Sequence, residues 1–125
     1  MEVLVIGGGA AGMMAALTAR QGGRAVTLLE RQARVGRKLL ATGNGRCNLD
    51  NTAIALEKYF TADPAALRPL LAAVDAAAPL AWFEQLGLYT RTDEAGRVYP
   101  YSNQAADVLA LLEHRAEQLG IGRFR

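Results

Sequence analysis

The sequence predicts an α/β fold that opens with a Rossmann-like βαβ unit. Three observations predict it: an apolar run at residues 3–6 that suits a strand buried in a parallel sheet, a glycine-rich motif directly after it, and a helical segment that leads to a second apolar run at residues 25–29. Strand, helix and strand within about 30 residues have the length of one βαβ unit. With 125 residues, the chain suffices for one ordinary domain.

Each element of this unit has a clear end in the sequence. The first strand ends at the three glycines 7–9. Residues 10–21 are rich in Ala, Leu and Met and contain no Pro, which favours a helix, and the glycines 22–23 supply its stop. The second strand, 25–29, closes on Glu30.

Two further helices are expected after residue 52. Asp63 and Pro64 form a cap and first-turn pair that starts a helix, although Pro69 implies a kink or a later start. Asp75 is the expected cap of a second helix, and Gly87 is its stop.

A hairpin and a long helix complete the pattern. Residues 88–92 and 97–99 read as two strands joined by the turn-forming segment 93–96. Ser102 is expected to cap a helix whose apolar residues fall on one face and which Gly120 ends. The last residues then predict the beginning of another strand.

Composition bounds the function. The chain is 51% hydrophobic and 21% charged, which is typical of a globular protein. Its apolar runs fall short of the ~20 residues that span a bilayer, and its first residues lack the basic start of a signal peptide, so we expect a cytoplasmic protein with no membrane partner. A single cysteine, Cys47, allows no internal disulfide and no zinc site of its own, and we expect a small buried residue and no metal.

The basic residues are concentrated in one segment. Residues 20–46 contain seven Arg or Lys side chains against Glu30 alone. The segment has no aromatic residue, whereas a nucleic-acid-binding stripe commonly interleaves them, so no nucleic-acid partner is expected. Two interpretations stay open: a solvated face, or a site for a small polyanion such as a diphosphate.

The glycines at the start of the chain form a dinucleotide fingerprint, Gly7-x-Gly9-x-x-Gly12. It follows a predicted strand, opens a predicted helix and precedes Glu30, 18 positions beyond its last glycine. The first glycine permits a tight turn, the second lets the backbone approach a pyrophosphate, and the third lets helix and strand pack closely. Glu30 is expected to accept hydrogen bonds from ribose, which disfavours a 2′-phosphate. The fingerprint alone does not distinguish FAD from NAD.

A second glycine-rich stretch favours a flavin. Gly43 and Gly45 flank Asn44 and let the backbone lie against a flat ligand, while Arg46 and Lys38 add positive charge. Together with the amide of Asn48, these groups suit a planar ring with a polar edge and an anionic linker.

The sequence resembles a known family at these two stretches and at a third. The fingerprint, "GRKLLATGNGRCN" at 36–48 and "GRVYPYSNQAADVL" at 96–109 are similar to the N-terminal part of the FAD-dependent flavoproteins that include aminoacetone oxidase-like and bile-acid-reductase-like (BaiN-type) proteins. The family usually has Thr where this chain has Asp50, and Phe where it has Tyr99.

The resemblance implies a flavoprotein with two dinucleotide-binding domains, of which this chain is an N-terminal, truncated portion. Residues 1–52 would be the FAD-binding βαβ unit with its flavin-approach loop, and 53–125 a helical and hairpin continuation that needs a later segment of chain. The cofactor-binding residues it implies are Gly7, Gly9, Ala10, Ala11, Gly12, Glu30, Arg31, Lys38, Gly43, Asn44, Gly45, Arg46 and Asn48.

The resemblance also implies that the full-length protein is an FAD-dependent oxidoreductase, and we expect this N-terminal portion to be inactive in isolation. Its partners would be FAD, a small-molecule substrate and a nicotinamide cofactor as one candidate electron donor. The sequence offers no catalytic constellation, which fits an enzyme whose cofactor carries the redox chemistry. Two alternatives are an NAD-binding Rossmann protein and a non-catalytic nucleotide-binding fragment.

Overall fold

A computed structural model describes residues 1–75 and 77–124. In chain order the strands are β1 (Glu2–Ile6), β2 (Ala25–Leu29), β3 (Asp50–Asn51), β4 (Thr90–Thr92), β5 (Arg97–Pro100) and β6 (Gly122–Phe124). The helices are α1 (Ala10–Gln21), α2 (Arg37–Ala41), α3 (Pro64–Ala73), α4 (Ala77–Gln85) and α5 (Ala105–Gln118), with short 3₁₀ turns at Thr42–Gly45 and Leu56–Lys58.

The chain forms two compact units. One contains Met1–Cys47 together with the C-terminal segment that begins at Ser102, and the other is Asn48–Tyr101. The helix α5 thus belongs to the same unit as the βαβ segment, although the two are far apart in sequence. These compact units have other boundaries than the predicted division into 1–52 and 53–125, which stays a prediction about domains.

The first unit is built on a parallel sheet with strand order β1-β2-β6. Glu2 pairs with Ala25 and Ile6 with Leu29, so β1 and β2 align along their whole length. The predicted βαβ unit is therefore confirmed, and the strand expected after Gly120 is present as the third strand of the sheet. Apolar side chains of α1, β2 and α5 form the core: Met13, Leu17, Val26, Leu28, Val108 and Leu112 are buried.

One predicted cap of this unit is wrong. The helix α5 begins at Ala105, with Gln104 rather than Ser102 in the N-cap position. The reason is Asn103, whose φ of 56° is left-handed and keeps the chain out of the helix for two more residues. The hydroxyl of Ser102 still accepts a 3.3 Å hydrogen bond from the amide of Gln104.

The second unit contains an antiparallel sheet with strand order β3-β5-β4. The predicted hairpin is confirmed as β4 and β5. Its turn is held by Asp93, whose Oδ1 accepts from the amides of Ala95 at 3.0 Å and Arg97 at 2.9 Å. Gly96 takes a φ of +78°, which closes the turn in a conformation that glycine adopts at no steric cost.

The helices of the second unit begin where their caps predict. Oδ1 of Asp63 accepts from the amide of Ala66 at 2.9 Å, and α3 starts at Pro64 and continues through Pro69. Oδ1 of Asp75 accepts from the amide of Ala77 at 3.0 Å, so the second predicted cap is also confirmed.

The stretch Pro64–Gln85 is 22 residues long and apolar enough to cross a membrane when length and composition are the only criteria. Core helices of soluble proteins satisfy the same criteria but are mostly buried, whereas 6% of this stretch's most apolar window is buried. One such stretch is weak evidence of a membrane span. The α-helical conformation of this stretch is interrupted at Val74 and Asp75, between α3 and α4. The expectation of no membrane partner stays a prediction.

Candidate functional site

The fingerprint glycines form a tight turn at the carboxyl end of β1. Gly7 has a φ of +100°, and its amide donates a 2.8 Å hydrogen bond to the carbonyl of Leu29 at the end of β2. A Cβ atom added to Gly12 would collide with the carbonyl oxygen of Gly7. The tight turn and the close packing that the sequence predicts for these two positions are both present.

The amino end of α1 faces open space. Gly9 is its N-cap, and a Cβ atom added there would meet no atom within 4 Å. Among the described residues, no side chain caps this helix, and its first turn has no acidic residue. The first amides of a helix lack partners within the helix, so those of Ala10, Ala11 and Gly12 are available to an anion, which the helix dipole also favours.

Glu30 lies beside this turn and is held by two backbone amides. Its Oε2 accepts from Gly8 and its Oε1 from Gln32, each at 2.7 Å. These two hydrogen bonds, with a smaller contribution from the charge of Arg31, outweigh desolvation and hold the pKa of Glu30 below its ordinary value. The carboxylate is therefore ionised at neutral pH, and two bound amides leave about half of its roughly four lone-pair sites for other donors.

Gly8 is a residue that the sequence analysis did not assign to the site. Its amide bonds Glu30, and its carbonyl accepts a 2.8 Å hydrogen bond from the amide of Gly36. It is buried, and a Cβ atom added there would lie 2.5 Å from Cγ1 of Val35. The sequence offers one signal for this role. The fingerprint allows any residue at the middle position of the triplet 7–9, and this chain has glycine there.

Gly36 connects the turn to α2. It has a φ of +71°, and a Cβ atom added to it would collide with the side chain of Leu109 on α5. The short helix that it begins carries Lys38, which is exposed, and Arg37, whose guanidinium donates a 2.7 Å hydrogen bond to the side chain of Gln32.

Several basic side chains of the segment 20–46 are exposed, including Arg31 and Arg34. Their exposure is compatible with a solvated face as well as with a polyanion site. Both interpretations of the basic segment thus remain open.

The loop after α2 has an unusual run of left-handed residues. Gly43, Asn44 and Gly45 have φ values of 57°, 56° and 81°, and Cys47 has 59°. Only glycine and, less readily, asparagine adopt this region without strain, which explains why the loop needs the sequence Gly-Asn-Gly. Arg46 closes the loop, since its amide and its Nε each donate a 3.2 Å hydrogen bond to the carbonyl of Gly43.

Cys47 is buried, with 5% of its surface exposed, as the sequence predicts. Burial raises the pKa of its thiol, and a hydrogen bond with the hydroxyl of Thr42 opposes this rise only in part. The thiol is therefore protonated at neutral pH. Among the described residues, no three His, Cys, Asp or Glu side chains form a group that could hold a metal ion.

Asn48 belongs to the second unit, not to the unit that carries the fingerprint. With its amide nitrogen oriented as the donor, it reaches the carbonyls of Val98 at 3.2 Å and Asp50 at 2.9 Å. Oδ1 of Asp50 accepts from the amide of Asn51 at 2.7 Å, while its buried Oδ2 has no hydrogen-bond partner among residues 1–75 and 77–124. The proposed contact of Asn48 with a flavin stays a prediction.

The first unit therefore has the features that an adenine dinucleotide needs. The space before Gly9 and the uncapped amides of α1 fit a diphosphate, and the ionised Glu30 beside them fits a ribose. The sequence model of a protein family, described as the HI0933-like protein Rossmann domain, matches residues 1–124. The chain belongs to this HI0933-like family. Members of the family bind FAD, which decides between the two dinucleotides that the fingerprint leaves open.

Relatives of known name agree with this membership. The chain is 45% identical over 111 residues to 3-dehydro-bile acid delta(4,6)-reductase of Clostridium scindens, a match that covers 87% of this chain and 27% of that protein. It is 40% identical over 63 residues to the ribosomal RNA dihydrouridine synthase of Escherichia coli, covering 50% of this chain and 16% of that protein. The corresponding synthase of Haemophilus influenzae is 25% identical over 119 residues, with 95% and 29% covered.

The fold is also found in a solved structure. The crystal structure of THI4 from Thermovibrio ammonificans superposes with a TM-score of 0.62 at 17% identity, covering 98% of this chain and 37% of that one. At this identity the likeness concerns the fold alone. The chain spans little more than a quarter of the bile acid reductase and about a third of THI4. The family resemblance and the Rossmann-like α/β fold predicted from the sequence are both confirmed.

Proposed function

We propose that this chain is the FAD-binding portion of an FAD-dependent oxidoreductase. The observation that carries the proposal is the amino end of α1, where uncapped amides and the open space before Gly9 adjoin the ionised Glu30. Membership of a family that binds FAD supports the same assignment.

The residues divide into five roles in this proposal. Backbone at 7–12 holds the diphosphate, and Glu30 accepts hydrogen bonds from the adenosine ribose. Arg31 flanks the adenosine, and Lys38 supplies positive charge near the cofactor. Loop residues 43–46 line the approach to the flavin ring.

The reaction class that we propose is the reduction of a carbon–carbon double bond conjugated with a carbonyl group. The names of the relatives support it, because a 3-dehydro-delta(4,6) bile acid contains such a system and so does the uracil ring that becomes dihydrouridine. Bound FAD, when reduced, supplies a hydride equivalent for one carbon, and a proton adds to the other. The two electrons would come from a reduced nicotinamide cofactor, and this chain contributes binding and orientation of the flavin.

A small-molecule substrate is our first candidate, supported by the 45% identity to the bile acid reductase. A second candidate is a uridine within RNA, which runs against the expectation of no nucleic-acid partner. It is supported by the 40% identity to the E. coli synthase, a match that is shorter, at 63 residues. The exposed basic side chains at 31, 34 and 38 are compatible with it. The single buried cysteine fits a reducing compartment, and we propose a cytoplasmic location.

The test is to purify the protein without added cofactor, record its visible spectrum, and follow thermal unfolding while FAD or NAD is added. FAD should stabilise the native state by about 2.7 kcal/mol at a concentration of 100 Kd, and NAD should have little effect. Stabilisation by NAD alone would contradict the proposal. The reaction class is then tested on a longer protein that joins this chain to the later segment, loaded with FAD and assayed with reduced nicotinamide on a conjugated steroid ketone and on unmodified ribosomal RNA. Turnover of neither substrate by that longer protein would reject the proposed reaction class.

A further inference from the structure

Gly8 is the point at which three separated segments of the first unit meet. Its amide donates to Glu30 at the end of β2, and its carbonyl accepts from Gly36 at the start of α2. Val35 packs where a Gly8 side chain would lie. The peptide groups on both sides of this residue are therefore held by groups that follow it by more than twenty positions.

Gly8 also separates the two fingerprint glycines that the proposed diphosphate site uses. Gly7 makes the tight turn and Gly9 caps α1, so a rotation of the intervening peptide would change the direction of both. A turn rich in glycine has many accessible conformations, and its free energy of ordering must be provided by contacts elsewhere. Here the contacts come from Glu30, Val35 and Gly36.

We infer that the carboxylate of Glu30 is a positioning residue that keeps the fingerprint turn in its binding conformation before a cofactor arrives, by holding the amide of Gly8. The inference rests on the proposed function, because the turn is taken to be the diphosphate site. It adds a second task to the ribose contact. The carboxylate has acceptor sites for both tasks at once, since its two amide partners occupy only part of its lone-pair capacity.

The carboxylate of Glu30 accepts from two amides at once. Its two oxygens face the amides of Gly8 and Gln32. In Glu30→Gln the remaining oxygen can still accept from Gly8 with the NH₂ group turned towards Gln32, so that variant does not isolate the bond to Gly8. Glu30→Ala carries no side-chain acceptor and removes both hydrogen bonds.

The experiment measures amide hydrogen exchange by NMR in the cofactor-free protein. The Gly8 amide should be protected in the wild type, and Glu30→Ala should lower its protection by about tenfold or more, as expected for loss of a hydrogen bond to a charged group. The matched control is Glu94→Ala, which removes a carboxylate from the exposed hairpin turn of the second unit and should leave Gly8 unchanged. Equal Gly8 exchange in the wild type and in Glu30→Ala would overturn the inference.

An acid titration of the wild type provides an independent measurement if Glu30→Ala fails to fold, as judged from the amides of β2. The amide protons of Gly8 and Gln32 should shift together with one midpoint below the usual pKa of a glutamate, and Arg31 is the charged group that contributes to this lowering. Absence of a shared midpoint would also overturn the inference. A wild type that shows Gly8 protection but binds no FAD would instead refute the proposed function alone.

Discussion

Gly8 and Gly9 are adjacent, yet an added methyl group should have different effects at the two positions. It should lower stability at Gly8, and it should weaken FAD binding with little change in stability at Gly9. In Gly8→Ala the new Cβ lies 2.5 Å from Cγ1 and 3.0 Å from Cβ of Val35, a residue with 4% of its surface exposed. Ordinary contacts are 3.4–4 Å. Relief requires a shift in the packed core, and overpacking of this kind costs about 1–3 kcal/mol. We expect the cofactor-free variant to unfold at a lower denaturant concentration by that free energy.

A double variant tests the cause of this loss. Val35→Ala alone removes two buried methyl groups and should cost about 1.6 kcal/mol on transfer values. It also removes the atom that the new methyl group strikes, although the 3.0 Å contact with Cβ remains. The double variant should therefore be less destabilised than the sum of the two single variants.

In Gly9→Ala the methyl group enters open space, and the backbone φ of −75° is accessible to alanine. Stability without cofactor should change by less than about 1 kcal/mol, because the weaker N-cap preference of alanine is offset by its smaller chain entropy. FAD affinity should fall by about tenfold or more, since the methyl group occupies the space proposed for the diphosphate. Urea unfolding and FAD titration of both variants measure the two effects. The reasoning fails if Gly9→Ala binds FAD like the wild type, or if it is as unstable as Gly8→Ala.

Four further outcomes are expected. Gly12→Ala should be the most destabilising glycine substitution of the fingerprint, because its methyl group meets a backbone carbonyl that cannot move aside. Thermal unfolding measures the loss of stability, and a stability equal to that of Gly8→Ala would contradict the prediction. Glu30→Ala should weaken FAD binding by about tenfold to a hundredfold, and an unchanged affinity would place the adenosine elsewhere. Cys47 should react slowly with an aromatic disulfide reagent at pH 7–8 and rapidly after unfolding, because burial raises the pKa of its thiol. Fast labelling of the native protein would be inconsistent with this structure. Desolvation would raise the pKa of Asp93, but hydrogen bonds, those from Arg97 foremost, lower it below its ordinary value. Asp93→Asn should therefore be less stable than the wild type at pH 7, and the difference in stability should vanish as the pH falls through that lowered pKa. A difference that does not depend on pH would exclude the carboxylate as its source.

The first half of the fold could be predicted because its signals are local. The apolar runs of β1 and β2, the proline-free α1 and the glycines around them each restrict the backbone within a few residues. The caps at Asp63 and Asp75 are equally local, since each side chain bonds an amide two or three positions ahead. These elements appear with the boundaries that the pattern predicts.

The helix α5 shows where such reasoning ends. Its apolar face was predictable, but its start was displaced by the left-handed Asn103, which no residue pattern requires. Its membership of the first unit was also not predictable, because the partners of an apolar face depend on the packing of distant elements.

The sequence by itself determined the βαβ unit, the dinucleotide fingerprint and, through the resemblance of 36–48, the flavin family. Only the tertiary structure decided how the fingerprint turn is held. Glu30 was predicted to contact a ribose, and the fold also brings its carboxylate to the amide of Gly8, 22 positions away. The stretch 36–48 was assigned to a flavin, and the amide of its first residue, Gly36, donates a hydrogen bond to the carbonyl of Gly8. Hydrogen bonds between distant segments depend on strand register and core packing, which local sequence patterns do not specify.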